Sequence, residues 1–176
     1  MKTSRRTKNI NLRAIVATRD DASRFLKDAG DAVLVRRNNP RLLVVRCPCG
    51  CGDDLLINLD RRAGPAWRSY VSKNKLTLFP SYWRDLNCES HFIIWNNRIF
   101  WCDFWDEDFW SVDEAIEKKV LSALPANGFI DYADVAEKLD LIPWEVLQAC
   151  RQLEARHRVV SKRQGRSLTF RRLAKD

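Results

Sequence analysis

Residues 47–52 read CPCGCG, three cysteines in six positions with a proline and two glycines between them. Three chemistries answer to such a stretch: a metal centre, disulfides, or core filling. A thiolate centre draws two or more ligands from one tight turn, and glycine and proline make that turn possible. Disulfides rarely persist in a reducing cytosol, and cysteines in C-x-C spacing are poorly placed to bridge each other. Core filling explains a lone cysteine such as Cys150 on an apolar helix face, but not three within six residues. The stretch reads as half of a metal site.

The second half is expected from another turn at similarly short spacing. Residues 87–92, NCESHF, supply Cys88 and His91 in C-x2-H spacing just ahead of a strand. The candidate ligands are Cys47, Cys49, Cys51, Cys88 and His91, with Cys102 in reserve. Three thiolates and one imidazole in a tetrahedron form a normal Zn2+ set. The spacing also echoes the two-loop ligation of Rieske centres, although cysteines stand here where a Rieske loop has histidine.

Both turns sit among strand-like runs. AVLVRR and RLLVVRCPC, separated by NNP, form a hairpin, and DLLINLD adds a strand. WRSYVSK and KLTLFPS pair across a turn at Lys73–Lys75, and Asn96-Asn97 joins the two runs of SHFIIWNNRIFWCDFW. A short helix is expected in RDDASRFLKDAG, capped by Asp20 or Asp21. Residues 1–13, with five bases and no acid, read as a mobile basic arm, and residues 14–110 as a β-rich zinc-binding domain.

A composition break follows. Seven acids and no base lie between Asp103 and Glu117, and Trp105, Phe109 and Trp110 in DFWDEDFW suit an exposed docking segment. The other tryptophans, Trp67, Trp83, Trp95 and Trp101, read first as packing of a small sheet and second as a platform for a partner's extended tail. Ser111 and Glu114 form a capping box for a helix over VDEAIEKKVLSAL. YADVAEKL and IPWEVLQACRQLEARHR give two more helices, and VVSKRQGRSLTFRRL a hairpin turning at Gln164-Gly165. Residues 111–176 therefore read as a winged helix, and the whole chain as α+β: a small β-rich zinc domain followed by that module.

Composition narrows the functional classes. The 176 residues are 45% hydrophobic, enough for a packed core, and no run is long and apolar enough to span a bilayer. No apolar signal core follows the basic start, so a cytoplasmic protein is the expectation. The +8 charge permits nucleic acid or an acidic partner. Seven bases and no acid lie between Arg156 and Arg172, and Lys162, Arg163 and Arg166 are the candidate nucleic-acid contacts on the wing. Against this, residues 111–176 hold 12 bases and 10 acids, a balance equally suited to protein docking.

Residues 12–102 resemble a bacterial family of small proteins of unknown function, carried by CPCGCG at Cys47–Gly52, Trp67, LFPSYW at Leu78–Trp83 and CESHF at Cys88–Phe92. The resemblance implies a metal-binding domain encoded in part beside ubiquitin-like proteins and their activating and conjugating enzymes. Members look like peptidases that trim or remove the modifier. A ubiquitin-like protein or its activating or conjugating enzymes are thus the implied partners. The C-terminal module lies outside the resemblance.

A zinc that catalyses keeps one position open for water, with an acid nearby to take the proton. Glu89 and Asp53 are the candidates, although each reads first as a solvated turn residue, Asp53 more so than Glu89. Ser90 is open to reading as a nucleophile, or as a residue that shapes its turn. No HExxH motif is present. The sequence leans to a metal-dependent peptidase, with a non-catalytic zinc module for a conjugation or defence partner and a DNA-binding regulator as the alternatives.

Overall fold

The computed structural model describes residues 6–72, 74–102, 111–165 and 167–173. The chain is mixed α/β and rich in strands, with three α-helices among the described residues, and divides into two compact units, Met1–Trp105 and Asp106–Asp176.

The first unit holds two four-stranded sheets. In one, β1 (Asn11–Val16), β2 (Asp31–Arg36), β3 (Pro40–Arg46) and β4 (Asp54–Asn58) lie in chain order, with β1 parallel to β2. In the other, β5 (Arg68–Ser72), β6 (Lys75–Trp83), β7 (His91–Trp95) and β8 (Arg98–Trp101) form an antiparallel meander. Period-2 alternation explains the core: Leu43 and Val45, Leu55 and Ile57, Leu76 and Leu78, and Phe92 and Ile94 each point inward into one shared cluster. Strand β2 is buried along both faces, and Val33 and Val35 pack with Ala22 and Leu26 in a second cluster. Asn96 and Asn97 both take the left-handed backbone that the expected β7–β8 turn demands.

Two expectations change here. The helix anticipated after Asp20 is only a single 3-10 turn, Ser23–Phe25, with Ala22 before it and no side-chain cap. Residues 6–10 of the basic arm are tied down: Thr7 N–H donates to Pro48, Ile99 N–H to Lys8 and Ile10 N–H to Asn97. The Arg6 guanidinium also lies 4.4 Å from the Trp101 ring centre.

In the second unit the order is α1 (Glu114–Ala123), β9 (Ile130–Asp131), α2 (Tyr132–Leu139), α3 (Pro143–Ala155), β10 (Val159–Gln164) and β11 (Ser167–Arg172). The three strands form a sheet in the order β10-β11-β9. Asp113, not Ser111, caps α1, its carboxylate accepting the Ile116 N–H. Aspartate is as good a cap as serine, and it stands at the residue immediately before the helix. Pro143 opens α3, where no intrahelical N–H is lost. Cys150 is fully buried with Val120, Leu124 and Phe170 among the core residues, and burial pushes its thiol up to about 12. The acidic segment 103–110 lies outside the described residues. No helix among the described residues is long and apolar enough to cross a membrane.

Candidate functional site

The β3–β4 loop is a knuckle. Cys47 N–H donates to the Asp53 carbonyl, Gly50 N–H turns back to Cys47, and Gly50 and Gly52 have φ of 82° and 90°, which favours glycine. This brings the sulfurs of Cys47, Cys49 and Cys51 together with that of Cys88 from the β6–β7 loop, all four within 4.8 Å of one another. Cys47 Sγ lies 3.3 Å from Cys49 Sγ and 3.7 Å from Cys88 Sγ. Metal–sulfur bonds of about 2.3 Å in a tetrahedron need sulfur separations of about 3.8 Å, so a small shift of the side chains would hold a divalent ion.

Electrostatics at the knuckle are divided. Burial pushes the thiols of Cys47 and Cys51 up. Burial opposes the Cys88 thiolate too, but hydrogen bonds from the Ser90 hydroxyl and N–H, joined by those from Cys47 and Cys49, lower Cys88 to about 6. Ser90 is 1% exposed, its Oγ 3.1 Å from Cys88 Sγ and 3.6 Å from Cys47 Sγ. Cys102 lies outside the sulfur group; its N–H donates to the His91 carbonyl.

His91 also lies outside the group, for a geometric reason. Neighbouring side chains on extended chain face opposite ways, so Ser90 turns to the sulfurs while His91, the first residue of β7, turns away. Its Nε2 instead lies 3.1 Å from Ser81 Oγ. The β6–β7 pairing produces this: Trp83 stands opposite His91 and Tyr82 opposite Phe92, with a register shift between Leu78 and Tyr82. Ser81 precedes Trp83 by two residues, on the same side of β6. Trp83, 67% exposed, packs against the imidazole with ring centres 5.9 Å apart. Trp67 holds the strand from its other edge, its indole N–H donating to the Ser81 carbonyl. Trp95 and Trp101 are core residues.

The remaining candidates take other places. Glu89 is exposed in the β6–β7 loop with a left-handed backbone. Asp53 forms an ion pair with Arg84 at 2.9 Å. The sequence reading passed over Ser81. Its one signal was position: a serine in FPSYW, inside a stretch already singled out for its pattern, ten residues ahead of one of only two histidines in the chain. In the second unit Arg163 is exposed on β10 and the Lys162 ammonium lies 6.0 Å from the Phe129 ring centre. Arg166 lies outside the described residues.

A serine hydroxyl against an imidazole nitrogen is the arrangement of nucleophilic catalysis. Residues 18–102 match the family model described as bacterial ubiquitination-like system serine protease (BubE). The matched stretch is just under half the chain and contains the four clustered cysteines, Ser81 and His91. That family belongs to a bacterial ubiquitination-like system and is described as a protease. The description names a serine enzyme, where the sequence reading had leaned to a metal-dependent one. No curated protein and no solved structure matches the chain.

Proposed function

We propose that this chain is a serine peptidase acting on a ubiquitin-like protein, with Ser81 as nucleophile and His91 as general base. One observation carries the reading: Ser81 Oγ and His91 Nε2 are 3.1 Å apart, inside the stretch that matches the protease family. With Nε2 as acceptor, the ring proton sits on Nδ1 and the serine hydroxyl donates. His91 takes that proton as Ser81 Oγ attacks the scissile carbonyl, then returns it to the departing amine as the acyl-enzyme forms; water completes the turnover by the reverse transfers.

The chemistry of the donor set favours Zn2+ at the four cysteines, since soft thiolates select it. Cys47, Cys49, Cys51 and Cys88 would close its coordination shell, so the ion would supply a cross-link between the β3–β4 and β6–β7 loops and not a nucleophile. That assignment leaves Asp53 to anchor Arg84, Glu89 to its turn, and His91 to Ser81. The test is a ubiquitin-like substrate extended at its C-terminus, with an active-serine fluorophosphonate probe in parallel. Ser81→Ala should end both cleavage and labelling; labelling that persists in Ser81→Ala overturns the nucleophile.

A second reading concerns the C-terminal unit. Its order helix–strand–helix–helix–strand–strand, with the last hairpin in one sheet with β9, favours a winged helix. Lys162 and Arg163 lie on that hairpin, the part of such modules that meets phosphates, so DNA contact is the proposal for this unit. Retention on DNA that falls steeply with salt and is lost in Lys162→Glu/Arg163→Glu supports it. Retention indifferent to both sinks it.

A further inference from the structure

The sulfur centre and the Ser81–His91 pair are usually separate matters, one structural and one chemical, but here a single loop joins them. Loop 84–90 leaves β6 three residues after Ser81 and enters β7 at His91. Away from the knuckle the loop has little hold: Leu86 is 70% exposed, and the Asn87 amide reaches back to Asp53. What fixes the loop is the knuckle. Ser90 places its hydroxyl on two of the sulfurs and accepts the Arg84 N–H on its carbonyl at 2.9 Å. The Arg84 guanidinium reaches Asp53, at the end of the knuckle, and lies 4.0 Å from Cys88 Sγ. Both ends of the loop are therefore fastened to the cysteine cluster, and the pair sits immediately beyond those fastenings.

We propose that the four-cysteine centre switches the Ser81–His91 pair on and off by fixing loop 84–90, with Ser90 as the positioning residue. This rests on the reading of Ser81 and His91 given above. With the four sulfurs drawn onto one ion, Cys88 and Ser90 are held, and the extended chain delivers His91 to the far face opposite Trp83 and beside Ser81. With the ion removed, four thiols crowded in one pocket have no common partner, Cys88 and Ser90 are no longer held, and the loop keeps only the Arg84–Asp53 fastening. Displacement of a base by about 1 Å is enough to cost about a hundredfold in rate, so modest loosening silences the pair. Activity thereby becomes a reading of metal supply to the knuckle.

The full chain has only two histidines, so ring-15N-labelled histidine gives separable signals from His91 and His157. Stripping the protein with a chelator should move the His91 ring resonances and leave those of His157 in place, while fluorophosphonate labelling slows at least about tenfold. Refilling with Zn2+ should restore both. Ser90→Ala, with its zinc content measured and unchanged, should slow labelling about tenfold at an unchanged half-saturating probe concentration, and Ser90→Thr should recover it. Should Ser90→Ala fail to hold zinc, Arg84→Gln, which cuts the second fastening and leaves all four cysteines in place, takes its place, again with its zinc content measured. Zinc-free protein, or zinc-filled Ser90→Ala, that labels at the native rate with unmoved His91 resonances overturns the coupling. Persistent labelling of Ser81→Ala overturns the nucleophile instead, and the His91 resonances still decide whether the centre controls that histidine.

Discussion

The indole of Trp83 lies against the imidazole of His91, the two rings facing each other across β6 and β7 with planes inclined at 34°. An aromatic ring this exposed has little left to contribute to the core, while an extended peptide laid beside Ser81 would meet it directly. Trp83→Ala should raise KM about five- to tenfold with kcat changed less, and shift stability by no more than about 0.5 kcal/mol. Steady-state kinetics alongside a thermal melt checks this. A large loss of Tm with an unchanged KM assigns Trp83 to packing.

Removing either partner of a working nucleophile–base pair costs nearly as much as removing both. Ser81→Ala, His91→Gln and the double variant should each lower kcat by at least about a thousandfold, with the double no worse than the worse single. Equal far-UV circular dichroism shows that the fold is intact. Additive losses would assign the two residues to independent roles.

The four cysteines are not equivalent. Cys47 is fully buried and lies within 3.7 Å of the sulfurs of Cys49 and Cys88, whereas Cys51 is exposed. Cys47→Ser should abolish zinc retention and lower Tm by about 10 °C or more, and Cys51→Ser should leave partial retention with a smaller drop. Elemental analysis and calorimetry give both numbers. Equal losses at the two positions would sink the ranking.

Asp31 supplies the pH dependence. Burial works to raise its carboxyl, but the Asp28 and Lys27 N–H groups and the Arg13 guanidinium together hold it below the ordinary carboxylate range. A carboxyl whose folded pKa is lowered contributes stability that is complete above the unfolded value, about 3.9, and disappears as pH falls through the folded one. Asp31→Asn should therefore cost about 2 kcal/mol at pH 7, and the gap from the native chain should narrow below about pH 4. Urea denaturation at a series of pH values measures it. A gap independent of pH would place the loss in packing.

Local pattern alone carried much of the architecture. Alternation in RLLVV, DLLIN and HFIIW, the Asn96-Asn97 turn, Pro143 at a helix start and the glycines of CPCGCG each act over a few residues, so most strands, the helices of the C-terminal unit and the knuckle with its three cysteines were readable from the chain, while β1, which takes up residues 11–13 of the expected arm, and the two-residue β9 were not. The arm at residues 6–10 was not readable, because its hydrogen bonds run to Pro48 and Asn97, far away in sequence.

What the tertiary structure alone decided is the company His91 keeps. Spacing counts residues but not faces, so C-x2-H looked like a ligand pair when extended backbone sends Ser90 and His91 to opposite sides. The register shift between Leu78 and Tyr82 then set Ser81, not sulfur, against the imidazole. Register is a property of two strands pairing, fixed by which faces they bury together, and no single stretch of chain contains it.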